Sequence, residues 1–185
     1  MGNKAYLPIM NGWYERACSL QLKHTTIALD WSTRQYLHRQ RIPYRFNRNL
    51  TTRDDALPFG SGGFQSLGIV KCSWIMNLLL ENLNFAFVEM DVALVRNPFD
   101  CTIQRDCFTQ MFDLEIQSNI HPSDSPPMGH EVNIGVFRSC ASTVQLWQKA
   151  IRCMTHPSFH PCGKHLWDQA LISKLLGVRM EPGTA

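Results

Sequence analysis

One stretch of the sequence, residues 64–88, constrains the fold more than any other. Apolar residues recur at the i, i+3, i+4 spacing over residues 64–83, which predicts the longest helix of the chain. The residues at 85–88 are all apolar, which predicts a strand buried on both faces. A long helix joined to such a strand is typical of a parallel sheet covered by helices. The helical stripe contains Phe64, Leu67, Gly68, Lys71, Ile75, Leu78 and Leu79.

The rest of the chain repeats this alternation of helices and strands. Ser32 or Thr33 is the expected cap of a helix that Pro43 stops. Clustered Pro and Gly residues indicate a loop over residues 47–63. The other expected helices cover residues 5–18, 32–41, 141–154 and 164–176, and the other expected strands cover residues 25–30, 44–46, 108–116 and 132–137. We predict an α/β fold with a mostly parallel sheet flanked by helices, in a single domain over residues 1–185.

The composition is that of an ordinary globular domain. Hydrophobic residues make up 44% of the chain and charged residues 18%, which argues against disorder. The formal net charge of +3 is small, and we predict no nucleic-acid partner. Basic residues cluster only in the expected helix of residues 32–41, where a solvated face is predicted and a weak contact with an anion is the alternative. They are Arg34, His38, Arg39 and Arg41.

Apolar runs and cysteines give weaker information about the environment of the chain. No apolar run reaches the roughly 18 residues that span a bilayer, and the N-terminus has no signal-peptide pattern. The chain as given is expected to be soluble, although it could be a piece of an anchored protein. Two cysteine pairs bracket short loops and could form disulfides, whereas free buried thiols are the alternative. These pairs are Cys101 with Cys107 and Cys153 with Cys162.

Acidic residues follow two of the expected strands. Glu89 and Asp91 come directly after the strand of residues 85–88, and Asp30 ends the strand of residues 25–30. Ligands of open parallel sheets bind at the carboxyl ends of the strands, where these acids are expected. Two carboxylates one residue apart can hold Mn²⁺ or Mg²⁺, and such an ion neutralises the charge on a leaving diphosphate. The alternative is one helix-capping acid and one surface acid.

The sequence around this acidic pair resembles the nucleotide-diphospho-sugar transferase domain, a family that includes plant cell-wall galactosyl-, xylosyl- and arabinosyltransferases. Residues 85–99, FAFVEMDVALVRNPF, show an apolar strand, acid-x-Asp, an apolar run and Pro-Phe. Glu89 stands where the family usually has Asp, and Leu94 stands where it usually has Trp. The resemblance extends over the segments at residues 27–30, 64–80, 133–137 and 167–169.

The resemblance implies a GT-A type fold and transfer of a sugar from a nucleoside-diphosphate donor, with a UDP-sugar expected. It implies Mn²⁺ or Mg²⁺ as the cofactor, with Glu89 and Asp91 as its ligands. A glycan, a glycoprotein or a small molecule would be the acceptor, and the Golgi lumen would be the location. Family members usually have a strand before the first helix and a metal contact after the Asp-Gln helix. We therefore expect a partial domain that is truncated at both ends.

The resemblance also points to substrate-binding residues, each with a structural alternative. Lys71 is expected to face the diphosphate or to hold an acid near the site, unless its stem packs and its ammonium reaches water. Asp30 could contact the nucleotide, and helix capping is an adequate alternative explanation for it. Asn133 and Gly135 are expected to shape the sugar or acceptor pocket, with a turn at a strand edge as the alternative.

Asp168 and Gln169 are the expected catalytic residues, because they match the Asp-Gln of the family near a helix start. A carboxylate favoured by the helix dipole is the alternative for Asp168. Two other functions are open for the whole chain. A non-catalytic interaction module would keep the fold without the chemistry. A phosphatase of the haloacid-dehalogenase type would need Asp as nucleophile where the chain has Glu89, which disfavours it.

Overall fold

The computed structural model divides into two compact units. The first unit comprises Met1–Leu57 and Val88–Phe112, and the second comprises Pro58–Phe87 and Asp113–Ala185. The structure describes residues 1–52, 62–100, 108–109, 111–118, 132–156, 158 and 168–177. The single domain over residues 1–185 stays a prediction.

The first unit is built on a short parallel sheet. A 3-10 turn, Lys4–Tyr6, precedes helix α1 (Leu7–Ser19), and then come β1 (Thr26–Ala28), α2 (Trp31–Arg39) and β2 (Tyr44–Phe46). Strands β1 and β2 pair in parallel, as expected for strands joined by a helix. Gly2 forms a parallel bridge with Ala28, so the sheet extends beyond β1. The buried core of this unit contains Met10, Ala28, Leu37, Ile42 and Met90.

Over its described residues, the second unit combines three helices with a three-stranded sheet. Its elements are α3 (Gly62–Leu80), β3 (Phe85–Val88), β4 (Leu114–Ser118), β5 (Val132–Ser139), a 3-10 turn (Ala141–Thr143), α4 (Val144–Thr155) and α5 (Asp168–Leu175). The strand order is β3-β5-β4, and β4 pairs with β5 in the antiparallel sense. Aromatic rings pack together in the interior. Phe137 stacks on Phe87 with ring centroids 5.2 Å apart, and its centroid lies 5.1 Å from that of the tilted Trp147 ring. The indole N–H of Trp147 donates to Ser139 Oγ at 3.3 Å, so its polar atom is satisfied inside the core.

Several expected elements are confirmed, among them the strands at residues 44–46 and 85–88. The mixed α/β class is also confirmed, but the described strands form two sheets and one of the pairings is antiparallel. The strand expected at residues 108–116 is Leu114–Ser118. The helix expected at residues 164–176 is described only over Asp168–Leu175.

The ends of the first three helices correct the sequence prediction. Asp30, rather than Ser32 or Thr33, is the N-cap of α2. Helices α1, α2 and α3 each end before a non-glycine residue in the left-handed conformation, at Gln21, Arg41 and Asn82, with φ of 56°, 56° and 59°. At the end of α3, the Asn82 and Leu83 N–H groups donate back to Leu79 and Leu78 carbonyls, which closes the helix. Because this termination uses no glycine, the pattern of the sequence does not reveal it.

Cys72 and Cys153 are free, buried thiols, and Cys18 and Cys140 are also free but are exposed and partly buried, respectively. This agrees with the free-thiol alternative for Cys153. The remaining cysteines of the two suggested pairs, at 101, 107 and 162, lie outside the described residues. Of the helices in the described ranges, none has the length and hydropathy of a membrane-spanning segment.

Candidate functional site

The acidic triplet Glu89-Met90-Asp91 belongs to the first unit and comes directly after Val88, the last residue of β3. A turn begins there, closed by the Val92 N–H donating to the Glu89 carbonyl at 3.2 Å. Met90 is 5% exposed and belongs to the buried core of the unit, whereas Glu89 is half-buried and Asp91 is exposed. Burial of the middle residue therefore fixes the triplet to the core and leaves the two flanking carboxylates nearer to solvent.

The segment after the triplet is held by Arg16 of helix α1. Arg16 Nε donates to the Leu94 carbonyl at 2.6 Å, and a second guanidinium nitrogen donates to the Val95 carbonyl. A planar guanidinium suits this double contact, because its donors point in one fixed fork. This role of Arg16 could not be predicted from the sequence, since Arg16 and Leu94 are 78 positions apart and the acceptors are backbone atoms.

Buried Lys71 and partly buried Asp168 form an ion pair in the second unit. Lys71 Nζ lies 3.6 Å from Asp168 Oδ2, and the two side chains are 4% and 14% exposed. The ammonium also lies 5.3 Å from the centroid of the Phe87 ring, a cation–π distance. The ammonium does not reach water, so the snorkelling alternative for Lys71 is wrong. Of the two expected roles, the structure brings Lys71 to an acid, and that acid is one of the expected catalytic residues.

Two residues of α3 shape the surroundings of this pair. A Cβ added at Gly68 would lie 3.2 Å from Asp168 Cβ and 3.3 Å from its Cγ, so glycine permits the close approach of Asp168. The pKa of the Cys72 thiol is raised, first by burial and then by the negative charge of Asp168, while Lys71 opposes the shift. Sequence reasoning placed Gly68 on the apolar stripe but missed its role, because that role depends on a helix far along the chain.

Asn133 and Gly135 lie at an irregularity in the pairing of β4 with β5. Ile116 pairs with Phe137 but the next residue, Gln117, pairs with Asn133, which leaves residues 134–136 as an extra segment of β5. Asn133 Oδ1 accepts a hydrogen bond from the Gly135 N–H at 2.8 Å. This side-chain bond closes a local turn in the bulge, which is the alternative that the sequence offered for these residues.

Asp30 is 2% exposed, and protein donors contact both of its oxygens. Oδ1 accepts from the Thr33 N–H at 2.6 Å, and Oδ2 accepts from the Lys4 N–H at 2.6 Å and the Thr33 hydroxyl at 3.1 Å. These bonds make Asp30 the cap of α2 and a link to the N-terminal segment. A contact of Asp30 with a nucleotide stays a prediction.

Asp168 is the first residue of α5, and its Oδ1 accepts the Gln169 N–H at 2.9 Å. The structure therefore brings Lys71, Asp168 and Gln169 together in one unit, and Asn133 with Gly135 in the same unit. Within the described ranges, no three His, Cys, Asp or Glu side chains come together to hold a metal ion. Mg²⁺ is often held by one or two carboxylates together with substrate phosphates, so binding of Mg²⁺ or Mn²⁺ by Glu89 and Asp91 stays a prediction.

A family model described as nucleotide-diphospho-sugar transferase matches residues 20–180. The chain belongs to the nucleotide-diphospho-sugar transferase family. The match includes every candidate site residue expected from the sequence, from Asp30 to Gln169, and it begins after α1. No curated protein and no solved structure matches the chain significantly. Membership of this transferase family indicates nucleotide-sugar transferase activity. It does not identify the donor, the acceptor or a metal.

Proposed function

We propose that this protein transfers a sugar from a UDP-sugar to an acceptor, with Mn²⁺ or Mg²⁺ bound by Glu89 and Asp91. The observation that carries the proposal is the acidic triplet. Its middle residue is buried in the core while the two carboxylates flank it at half-buried and exposed positions. In a nucleotide-sugar transferase, two carboxylates one residue apart would bind a hard divalent cation. The Golgi lumen is the proposed location.

Glu89 and Asp91 would hold the cation, which would supply positive charge to offset that of the leaving nucleoside diphosphate. The residues of the chain would supply the geometry. Glu89 has a longer side chain than Asp and keeps the same charge. Arg16 would help to hold this ligand geometry, because it binds the carbonyls of the segment that follows the triplet.

The remaining residues are proposed to act on the sugar and nucleotide. Asp168 and Gln169 would be the catalytic pair, with the carboxylate of Asp168 held in place by Lys71. Lys71 would thus be a positioning residue, since its ammonium is already engaged and buried. Asn133 and Gly135 would line the sugar or acceptor pocket at the bulge of β5. A glycan, glycoprotein or small molecule would accept the sugar.

The test is calorimetric titration of UDP and UDP-sugars in the presence of Mn²⁺. We expect Glu89→Gln and Asp91→Asn to weaken metal-dependent UDP binding by about tenfold or more each, since each removes one anionic ligand. Glu15→Gln is the matched control, because Glu15 is an exposed acid of α1 in the same unit. Thermal melts should show that all three variants are folded.

The non-catalytic interaction module is the second candidate, and the Glu at position 89 favours it. It predicts that a folded wild-type protein gives no heat with UDP and Mn²⁺. It also predicts that Glu89→Gln and Asp91→Asn leave any partner binding unchanged. Metal-dependent UDP binding that both variants abolish would exclude this candidate.

A further inference from the structure

A strip of aromatic and basic side chains joins α2 to β2 in the first unit. Trp31 and Phe46 have ring centroids 4.7 Å apart, and the Arg34 guanidinium carbon lies 5.0 Å and 5.5 Å from these two centroids. Further along, His38 contacts Tyr44 edge to face at 6.4 Å. These five residues are the α2–β2 face. The spacing explains it, because residues 31, 34 and 38 share one side of a helix and residues 44 and 46 share one side of a strand.

This face is open where it is most aromatic. Trp31 is 53% exposed, although it is one of the largest apolar side chains of the chain. Phe46 is half-buried and packs against the core cluster, so the ring beneath Trp31 and Arg34 has a fixed support. Arg34 lies within cation–π distance of both rings, and a side chain held in this way loses less entropy when its guanidinium binds an anion.

The exposed charge along α2 and β2 is positive, because the adjacent acid Asp30 is buried and accepts hydrogen bonds from Thr33 and Lys4. Residues 31–52 contain five arginines and no Asp or Glu. Arg39, Arg41 and Arg48 are exposed, and no carboxylate of the described residues forms an ion pair with them or with Arg34. The next acids along the sequence, at 54 and 55, lie outside the described residues. A partner complementary to this surface therefore carries negative charge.

We propose that the α2–β2 face binds an acidic polysaccharide, a chain of sugar rings that carry carboxylate or sulfate groups. The proposal rests on the proposed function and names the class of its acceptor. The apolar C–H face of a pyranose packs on the exposed Trp31 ring through dispersion and burial of apolar area. A carboxylate or sulfate on the same or the next sugar then accepts from Arg34, a charge-assisted contact with planar geometry.

The family membership favours a polysaccharide over a nucleic acid. A nucleotide-sugar transferase acts on sugars, so a carbohydrate surface extends its function, whereas the small net charge of +3 gives a long nucleic acid little attraction outside residues 31–52. Binding of RNA is therefore an outcome that counts against the proposal.

The test measures binding of four labelled oligomers to the full chain by fluorescence anisotropy: oligogalacturonate, heparin oligosaccharide, neutral dextran oligosaccharide and single-stranded RNA. We expect at least one of the two acidic oligosaccharides to bind more tightly than dextran and RNA, and this affinity to fall as salt rises. Trp31→Ala and Arg34→Gln should each weaken it by about tenfold, the usual size for a Trp or Arg at the centre of an interface. Arg34→Lys should weaken it less than Arg34→Gln, because the charge stays and the planar fork is lost.

Arg152→Gln is the matched control, because Arg152 is an exposed arginine of α4 in the second unit. It should change the affinity by less than about twofold. The proposal is overturned if dextran binds as tightly as the acidic oligomers, if RNA binds more tightly than both of them, if none of the oligomers binds, or if Arg152→Gln weakens binding as much as Arg34→Gln.

Donor binding separates this proposal from the proposed function. Trp31→Ala and Arg34→Gln should keep metal-dependent UDP binding, and Glu89→Gln and Asp91→Asn should keep binding of the acidic oligosaccharide. If the wild-type protein binds the acidic oligosaccharide but not UDP, only the transferase proposal is refuted. If it binds UDP but not the oligosaccharide, only the proposed role of the α2–β2 face is refuted.

Discussion

Asp30 in the first unit and Asp168 in the second each bond to the first turn of a helix, but their second oxygens contact different kinds of partner. Each lies at the start of a helix, and Oδ1 of each accepts a backbone N–H of that helix. Oδ2 of each then contacts a distant segment, the backbone amide of Lys4 for Asp30 and the ammonium of Lys71 for Asp168. The donor to Asp30 is a neutral backbone amide, so this bond only links two segments. The partner of Asp168 is a buried cation, so removing either charge leaves the other without its counter-charge.

The largest effect should come from breaking the charged pair of the second unit. Lys71→Met leaves the Asp168 carboxylate without its cation, and we expect the free energy of unfolding to fall by about 3–5 kcal/mol. The double variant Lys71→Met with Asp168→Asn should be more stable than Lys71→Met, because neither charge is left buried alone. Urea unfolding followed by circular dichroism measures both, with Lys149→Met as the exposed control. A loss below about 1 kcal/mol for Lys71→Met would contradict the mutual dependence of the pair.

Replacement of Asp by Asn should cost less at Asp30 than at Asp168, because Lys4 and Thr33 donate to Asp30 from neutral groups. Asp30→Ala removes the cap and the contact with Lys4, and we expect a loss of about 2 kcal/mol in unfolding free energy. Asp30→Asn keeps an acceptor oxygen for Thr33 and should lose about 1 kcal/mol. Asp168→Asn removes the carboxylate that pairs with the buried Lys71 ammonium. It should therefore lower the free energy of unfolding by more than Asp30→Asn does. The comparison fails if the two Asp→Asn variants unfold at the same urea concentration.

The pH dependence of stability reports on the buried thiol of Cys72, which lies near the charged pair. Burial and the charge of Asp168 raise the pKa of the Cys72 thiol, so the folded state keeps a proton that an unfolded thiol releases above about pH 8.5. Stability from this group is complete below about pH 8.5 and falls as pH rises further, by at most about 1.4 kcal/mol per pH unit. Urea titrations at about pH 8 and pH 10 should therefore show a larger loss for the wild type than for Cys72→Ala. Equal losses would show that Cys72 does not titrate in this way.

The smallest effect, and the most local, concerns the approach of Asp168 to α3. Gly68→Ala should destabilise the protein by about 1 kcal/mol, because the new Cβ presses on Asp168 by a few tenths of an ångström and outweighs the gain in helix propensity. Gly12→Ala in α1 is the control, since no atom lies within 4 Å of a Cβ there. It should stabilise the protein by about 0.5–1 kcal/mol. Opposite signs of the two changes in thermal midpoint are the expected result, and two stabilising changes would contradict the close contact.

Much of the fold was predictable because local patterns encode burial. The strands at residues 44–46 and 85–88 and the bodies of α1, α2 and α3 follow from apolar spacing. The position of Glu89 and Asp91 directly after a strand was also predictable from the sequence. The antiparallel pairing of β4 with β5 and its bulge were not, because alternation of side chains gives the faces of a strand and not its direction or register.

The sequence by itself determined the approximate positions of most helices and strands, the family that the chain resembles and the acids that follow a strand. These are properties of neighbouring residues, and hydrophobic periodicity records them directly. Only the tertiary structure decided that Lys71 meets Asp168, that Gly68 makes room for that carboxylate, and that Arg16 holds the segment after the acidic triplet. Such contacts join residues far apart in the chain. They depend on how distant elements pack, which short-range patterns do not specify.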